Sequence, residues 1–173
     1  AGLTAGDRLA VQVEKSAEAL AVYAACVQSG VIFLPLNTAY KPAEVEYFIS
    51  DSGARMLIAG DAENLQSVAA AHDVTLHYME ADGSGSFTSL AAEASDQFTP
   101  VPRVRNDLAA FLYTSGTTGR SKGAMLTQQN LLSNAQTLVD AWRFTERDVL
   151  LHALPIFHTH GLFVATNIIL LAR

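Results

Sequence analysis

Short apolar runs alternate along the chain with longer segments in which apolar residues recur at helical spacing. RLAVQV, VIFLPLN, ARMLIAG and VTLHYM read as buried strands. SAEALAVYAACVQSG, PAEVEYFISDSG and AENLQSVAAAH lie between them and read as helices. In the first helix Leu20, Tyr23, Ala24 and Val27 fall on one face, and Gly30 supplies a C-cap. In the second, Pro42 sits in the first turn, where its missing N–H matters least. This succession predicts an α/β fold, a mostly parallel sheet flanked by helices.

Between 82 and 105 the composition shifts to Gly, Ser, Thr, Pro and charge, with only SLAAEA of helical character, so a surface connection is expected. The sheet resumes at DLAAFLY. A further helical segment follows, with Leu131, Ala135, Leu138, Val139 and Trp142 on one face, and then DVLLHALP as the next strand. The closing GLFVATNIILLAR is too short for a bilayer, which needs about 20 apolar residues, and reads as a buried helix. The missing initial methionine and the uncapped apolar end suggest a portion of a larger protein.

Composition narrows the partners. With 173 residues, half of them apolar, and a formal charge of -6, the chain suits one globular unit and offers no basic cluster for nucleic acid. The lone Cys26 is expected to pack as a small apolar side chain. No secretory leader pattern opens the chain, so a reducing, cytoplasmic setting is expected, without a membrane partner.

The stretch YTSGTTGRSKGAML carries the candidate chemistry. Gly116, Gly119 and Gly123 leave several backbone N–H groups free to converge on one anion, and Thr114, Ser115, Thr117 and Thr118 add hydroxyl donors. Lys122 adds a mobile positive charge for outer phosphates. Neither common phosphate loop fits. A Walker A spacing puts Ser121 where its second glycine belongs, and Gly116-Thr117-Thr118-Gly119 lacks the dinucleotide fingerprint. A solvated Ser/Gly-rich hairpin is the plain alternative.

From Thr114 to Gly123 the string resembles the phosphate-binding loop of the AMP-forming synthetase superfamily, which includes acyl-CoA synthetases, luciferases and peptide-synthetase adenylation domains. LPIFHTHG, from Leu154 to Gly161, resembles that superfamily's second motif. The resemblance covers nearly the whole chain and implies a portion, residues 1–173, of the large N-terminal AMP-binding domain. It implies ATP, Mg²⁺ and CoA: a carboxylate attacks the α-phosphorus, pyrophosphate leaves, and the CoA thiol then displaces AMP. Thr114, Ser115, Gly116, Thr117, Thr118, Gly119 and Lys122 would hold the phosphates, with Thr118 contacting the metal through Mg-ATP. His158 would orient the carboxylate or α-phosphate.

His160 occupies a place that is aromatic or apolar in many superfamily members. A histidine there suits an anionic acid, because an apolar tail would leave its ring nitrogens unpaired. The LPIFHTHG string is similar to the malonyl-CoA synthetase branch, which implies malonate or a methyl-substituted malonate as the acid. His72, His77 and His152 read as structural histidines. The family's metal, adenine and ribose segments and its small C-terminal domain do not occur in these residues, so this chain alone is expected to be inactive and to need the rest of its polypeptide. Outside this reading stand a non-catalytic nucleotide-binding α/β module, a ligase for another acyl or aryl acid, and a phosphohydrolase releasing ADP.

Overall fold

The computed structural model describes residues 1–114 and 120–172. Strands β1 (Arg8–Gln12), β2 (Ile32–Pro35), β3 (Met56–Ala59) and β4 (Thr75–Tyr78) alternate with helices α1 (Ala17–Ser29), α2 (Pro42–Ser52) and α3 (Gln66–Ala71). Then come α4 (Ser86–Ala92), β5 (Leu108–Thr114), β6 (Lys122–Thr127) and α5 (Gln128–Trp142). A π-helical turn (His160–Thr166) runs into α6 (Asn167–Leu171). Among the described residues the strands form one sheet in the order β4-β3-β1-β2-β5-β6. All neighbouring pairs are parallel except β5 with β6, so the expected α/β class with a mostly parallel sheet is the one observed.

The register explains why β2 and β3 are uniformly apolar. Ala10 of β1 lies between Leu34 of β2 and Leu57 of β3, and every residue of β2 and β3 is buried. Helices cover both faces of such strands, which leaves no polar side. Leu9, Val11, Phe33, Met56 and Ile58 pack on the α1 side with Leu162 and Phe163. Ala10, Leu34 and Leu57 pack on the other side against Val45, Phe48 and Ile49 of α2. Each fully buried Leu, Ile or Phe contributes roughly 1.5–3 kcal/mol relative to exposure.

Local signals set the helix limits. Ser16 Oγ accepts from Ala19 N at 3.1 Å, and Gly30 stops α1 in the left-handed region at φ 74. Pro42 opens α2 as expected. The buried face of α1 is turned from the expected one: Ala19, Val22, Tyr23 and Cys26 are buried, while Leu20, Ala24 and Val27 lie on its flank. Cys26 packs in the core as a small apolar residue, and burial pushes its thiol up to about 12. On α5 the expected stripe is only partly used, with Ala135 buried and Trp142 57% exposed.

Two expectations fail. DVLLHALP forms no strand: residues 148–155 run without a strand partner among the described residues, and Val149 and Leu151 are 95% and 89% exposed. An apolar run alone cannot make a strand, because each extended residue needs a neighbour for its N–H and C=O. Conversely KGAMLT, with the composition of a loop, is β6, since pairing with β5 satisfies its backbone. The closing apolar run is helical and buried at Leu162, Phe163 and Ile168, but its first part is a π-helical turn and Leu170 is exposed.

Candidate active site at the strand ends

In an open parallel sheet the crevice beyond the carboxyl ends of the strands is where ligands collect. Here β2 ends at Pro35 and β5 at Thr114, and both line a cavity of about 360 Å³ whose third wall is Phe157, His158 and Thr159. The structure therefore brings together Thr114 and His158, which are far apart in sequence. Lys122 begins β6 directly across the ladder from Thr114, and its side chain is exposed. Ser115, Gly116, Thr117, Thr118 and Gly119 lie outside the described residues. His160 is exposed at the start of the π-helical turn and is not among the described residues lining this cavity.

The wall after β2 is built by a residue that sequence reading passed over. Gln12 is a buried amide at the end of β1, and its Nε2 donates to Asn37 O at 2.9 Å and Tyr40 O at 3.0 Å. Asn37 Oδ1 in turn accepts from Ala39 N at 2.9 Å. These bonds hold the 37–40 turn so that Asn37 and Tyr40 face the cavity. A polar residue inside RLAVQV was the available signal, because a buried amide is kept only where its donors are matched.

The hairpin carrying Thr114 and Lys122 leans on α2. Tyr113 Oη donates to Asp51 Oδ2 at 2.6 Å, and Tyr47 Oη donates to Ser121 O at 2.8 Å. Burial, followed by the adjoining Asp51 carboxylate, raises the Tyr113 phenol well above its ordinary value, so it remains a donor.

The histidine motif is held by other means. Lys15 Nζ, just past β1, donates to His152 O at 2.7 Å and Leu154 O at 3.2 Å. His152 Nε2 lies 3.0 Å from Gly161 O and 3.1 Å from Thr166 Oγ1; since a carbonyl only accepts, Nε2 carries the proton. Gly161 is required here, because a Cβ would collide with the backbone carbonyl of Pro155. His158 lies two residues before this turn, its carbonyl accepting from Leu162 N at 3.0 Å, and its ring packs 4.8 Å from Phe157. His72 meets Glu46 at 3.3 Å and His77 packs edge-on to Phe87.

No cluster of three or more His, Cys, Asp or Glu side chains suited to a metal occurs among the described residues, and the metal contact expected at Thr118 lies outside them. None of the described helices is long and apolar enough to cross a membrane. In donor chemistry, an exposed lysine ammonium beside a threonine at the mouth of a hairpin fits a polyphosphate.

Comparison with known proteins points to one family. The family model described as AMP-binding enzyme matches residues 1–173. An oxalate–CoA ligase of Arabidopsis thaliana is 34% identical over 94% of this chain and 33% of its own length. A malonate–CoA ligase of the same plant is 31% identical over 99% of this chain and 29% of its own length. Among solved structures, ATP-bound MatB from Rhodopseudomonas palustris is 54% identical with a TM-score of 0.95, over 99% of this chain and 35% of that one. The chain thus spans about a third of the length of the relatives it matches.

Proposed function

The chain belongs to the AMP-binding enzyme family, and from that premise we propose that it forms part of the N-terminal AMP-binding domain of an ATP-dependent acid–CoA ligase. The proposed acid is malonate or a methyl-substituted malonate. The observation that carries this reading is the cavity at the ends of β2 and β5, where Thr114 and His158 share one space and Lys122 stands opposite Thr114. Relatives named for malonate and oxalate support a short dicarboxylate.

Each residue has a task in that reaction. The acid's carboxylate oxygen bonds to the α-phosphorus of ATP as the bond to the pyrophosphate oxygen breaks, giving an acyl-adenylate and pyrophosphate. Charge grows on the departing pyrophosphate, so Thr114, Lys122 and the donors of Ser115, Gly116, Thr117, Thr118 and Gly119 lower the barrier by standing ready for it. Mg²⁺, held through Thr118 and ATP, would neutralise further phosphate charge. His158 orients the attacking carboxylate against the α-phosphate, and His160 is assigned to the acid's second carboxylate. The CoA sulfur then bonds to the acyl carbon and AMP departs. The remaining site groups come from the rest of the polypeptide, so this chain alone forms no thioester.

The test is a carboxylic-acid panel assayed with the complete protein for pyrophosphate and AMP release. Malonate is expected to outperform hexanoate, and Lys122→Ala is expected to lower kcat roughly 100-fold, the scale of losing one donor to developing charge. Preference for hexanoate would overturn the acid assignment. Release of ADP and phosphate in place of AMP and pyrophosphate would overturn the reaction itself.

A further inference from the structure

We propose that Tyr47 and Asp51 of α2 are positioning residues that fix where Thr114 and Lys122 stand, without themselves touching the nucleotide. This rests on the reading of Thr114 and Lys122 as phosphate ligands. Tyr47 and Asp51 are four residues apart and therefore share one face of α2. Tyr47 donates to the carbonyl of Ser121, the residue before Lys122. Asp51 accepts from Tyr113, the residue before Thr114. One rigid helix thus grips both strands of the hairpin, each time one residue short of the ligand.

The hairpin needs that grip. Thr114 and Lys122 form the last pair of the β5–β6 ladder, and among the described residues β6 is an edge strand whose first four residues are exposed. Terminal ladder pairs open first. Packing alone would set the rings: Phe48 and Tyr113 stand 4.5 Å apart, Tyr47 meets Tyr113 edge-on at 6.2 Å, and the Arg120 guanidinium sits 5.8 Å from the Tyr47 ring centre. The two hydroxyl contacts add direction, since each ties a ring to one fixed oxygen. A ligand displaced by about 1 Å at a reacting centre loses much of its effect, roughly 100-fold in unfavourable cases.

The experiment uses the complete protein and measures pyrophosphate release with malonate and ATP. Tyr47→Phe keeps the ring and removes only the hydroxyl. It is expected to lower kcat/KM for ATP roughly five- to tenfold, the worth of one hydrogen bond, with KM for malonate unchanged. Asp51→Ala is expected to do the same, and Asp51→Asn, which keeps an acceptor oxygen for Tyr113, is expected to restore most of the activity. In a Lys122→Ala background the Tyr47→Phe loss is expected to shrink below about twofold, since residues acting through one group are not additive.

A Tyr47→Phe loss that persists in full in that background, or an Asp51→Asn variant as impaired as Asp51→Ala, overturns the positioning role. Were Tyr47→Phe silent while Lys122→Ala is damaging, the inference fails and the phosphate assignment stands. If Lys122→Ala is itself silent, the phosphate assignment fails and takes the inference with it.

Discussion

Thr114 and His158 face one cavity from two arms of the chain that are held differently. Thr114 ends a strand bonded to β2 on one side and β6 on the other. His158 follows a stretch without any strand, fastened by the Lys15 ammonium, the His152 imidazole and the bare Cα of Gly161. In the first arm backbone hydrogen bonds hold the strands and side chains, Tyr47 and Asp51, direct only the last pair, so a side chain away from that end can be lost without losing the arm's course. In the second a handful of side-chain contacts set the path of 152–161, and each is exposed to a single substitution.

The largest effect that would test this contrast is at Gly161. In Gly161→Ala the new methyl meets the Pro155 carbonyl, and a backbone atom cannot swing away as a side chain can. Overpacking that forces the backbone to shift costs about 1–3 kcal/mol. Amide exchange across 156–166 in the complete protein is expected to quicken strongly, with β1–β3 unaffected. Unchanged protection would mean that the turn is not set by this contact.

Next in size is Lys15→Met, which keeps the stem and removes the ammonium that bridges His152 O and Leu154 O. The side chain is exposed, so the loss is about 1 kcal/mol. Because the same bonds carry the segment leading to His158, pyrophosphate release is expected to fall several-fold. On the hairpin arm, Thr127→Ala removes the N-cap of α5, where Thr127 Oγ1 accepts from Asn130 N at 3.2 Å. That change is expected to cost about 1 kcal/mol of stability but to leave turnover nearly intact, because the ladder still holds β6. A turnover loss in Thr127→Ala equal to that in Lys15→Met would erase the distinction between the arms.

The same contrast explains what could be read from the chain. VIFLPLN and ARMLIAG are legible because a parallel strand covered on both faces must be apolar throughout, and Ser16, Gly30 and Pro42 mark helix limits by their own chemistry. Thr114, Lys122 and His158 stand out as candidates because their motifs are contiguous. The supports are not. Tyr47 and Ser121 are 74 residues apart, and Lys15 and His152 137, and contact between a side chain and a distant carbonyl leaves no period in the sequence. DVLLHALP misleads for the reverse reason: its short apolar run is strand-like, but no described strand lies beside it. β6 is hidden because pairing, not composition, makes it a strand.

The smallest expected effect lies in the core, away from both arms. Burial pushes the Cys26 thiol from an ordinary 9.0 up to about 12, and the Tyr23 phenol, also buried, from 10.0 up to about 12 despite its bond to Asn167 at 3.0 Å. A group whose pKa is raised by folding contributes its full stability below the unfolded value and loses it as pH climbs towards the folded one. Nothing should therefore change between pH 6 and 8, while above pH 9 the unfolded chain releases the Cys26 proton that the folded chain retains. By pH 10 that difference amounts to about 1 kcal/mol, with Tyr23 adding to it at still higher pH. Urea unfolding at pH 7.5 and pH 10, in the wild type and in Cys26→Ala, isolates the thiol: the variant is expected to lose less stability between the two conditions. An equal loss in both proteins would mean that the thiol keeps its ordinary acidity, and that α1 packs less tightly on Phe33 and Phe163 than the sheet-side core requires.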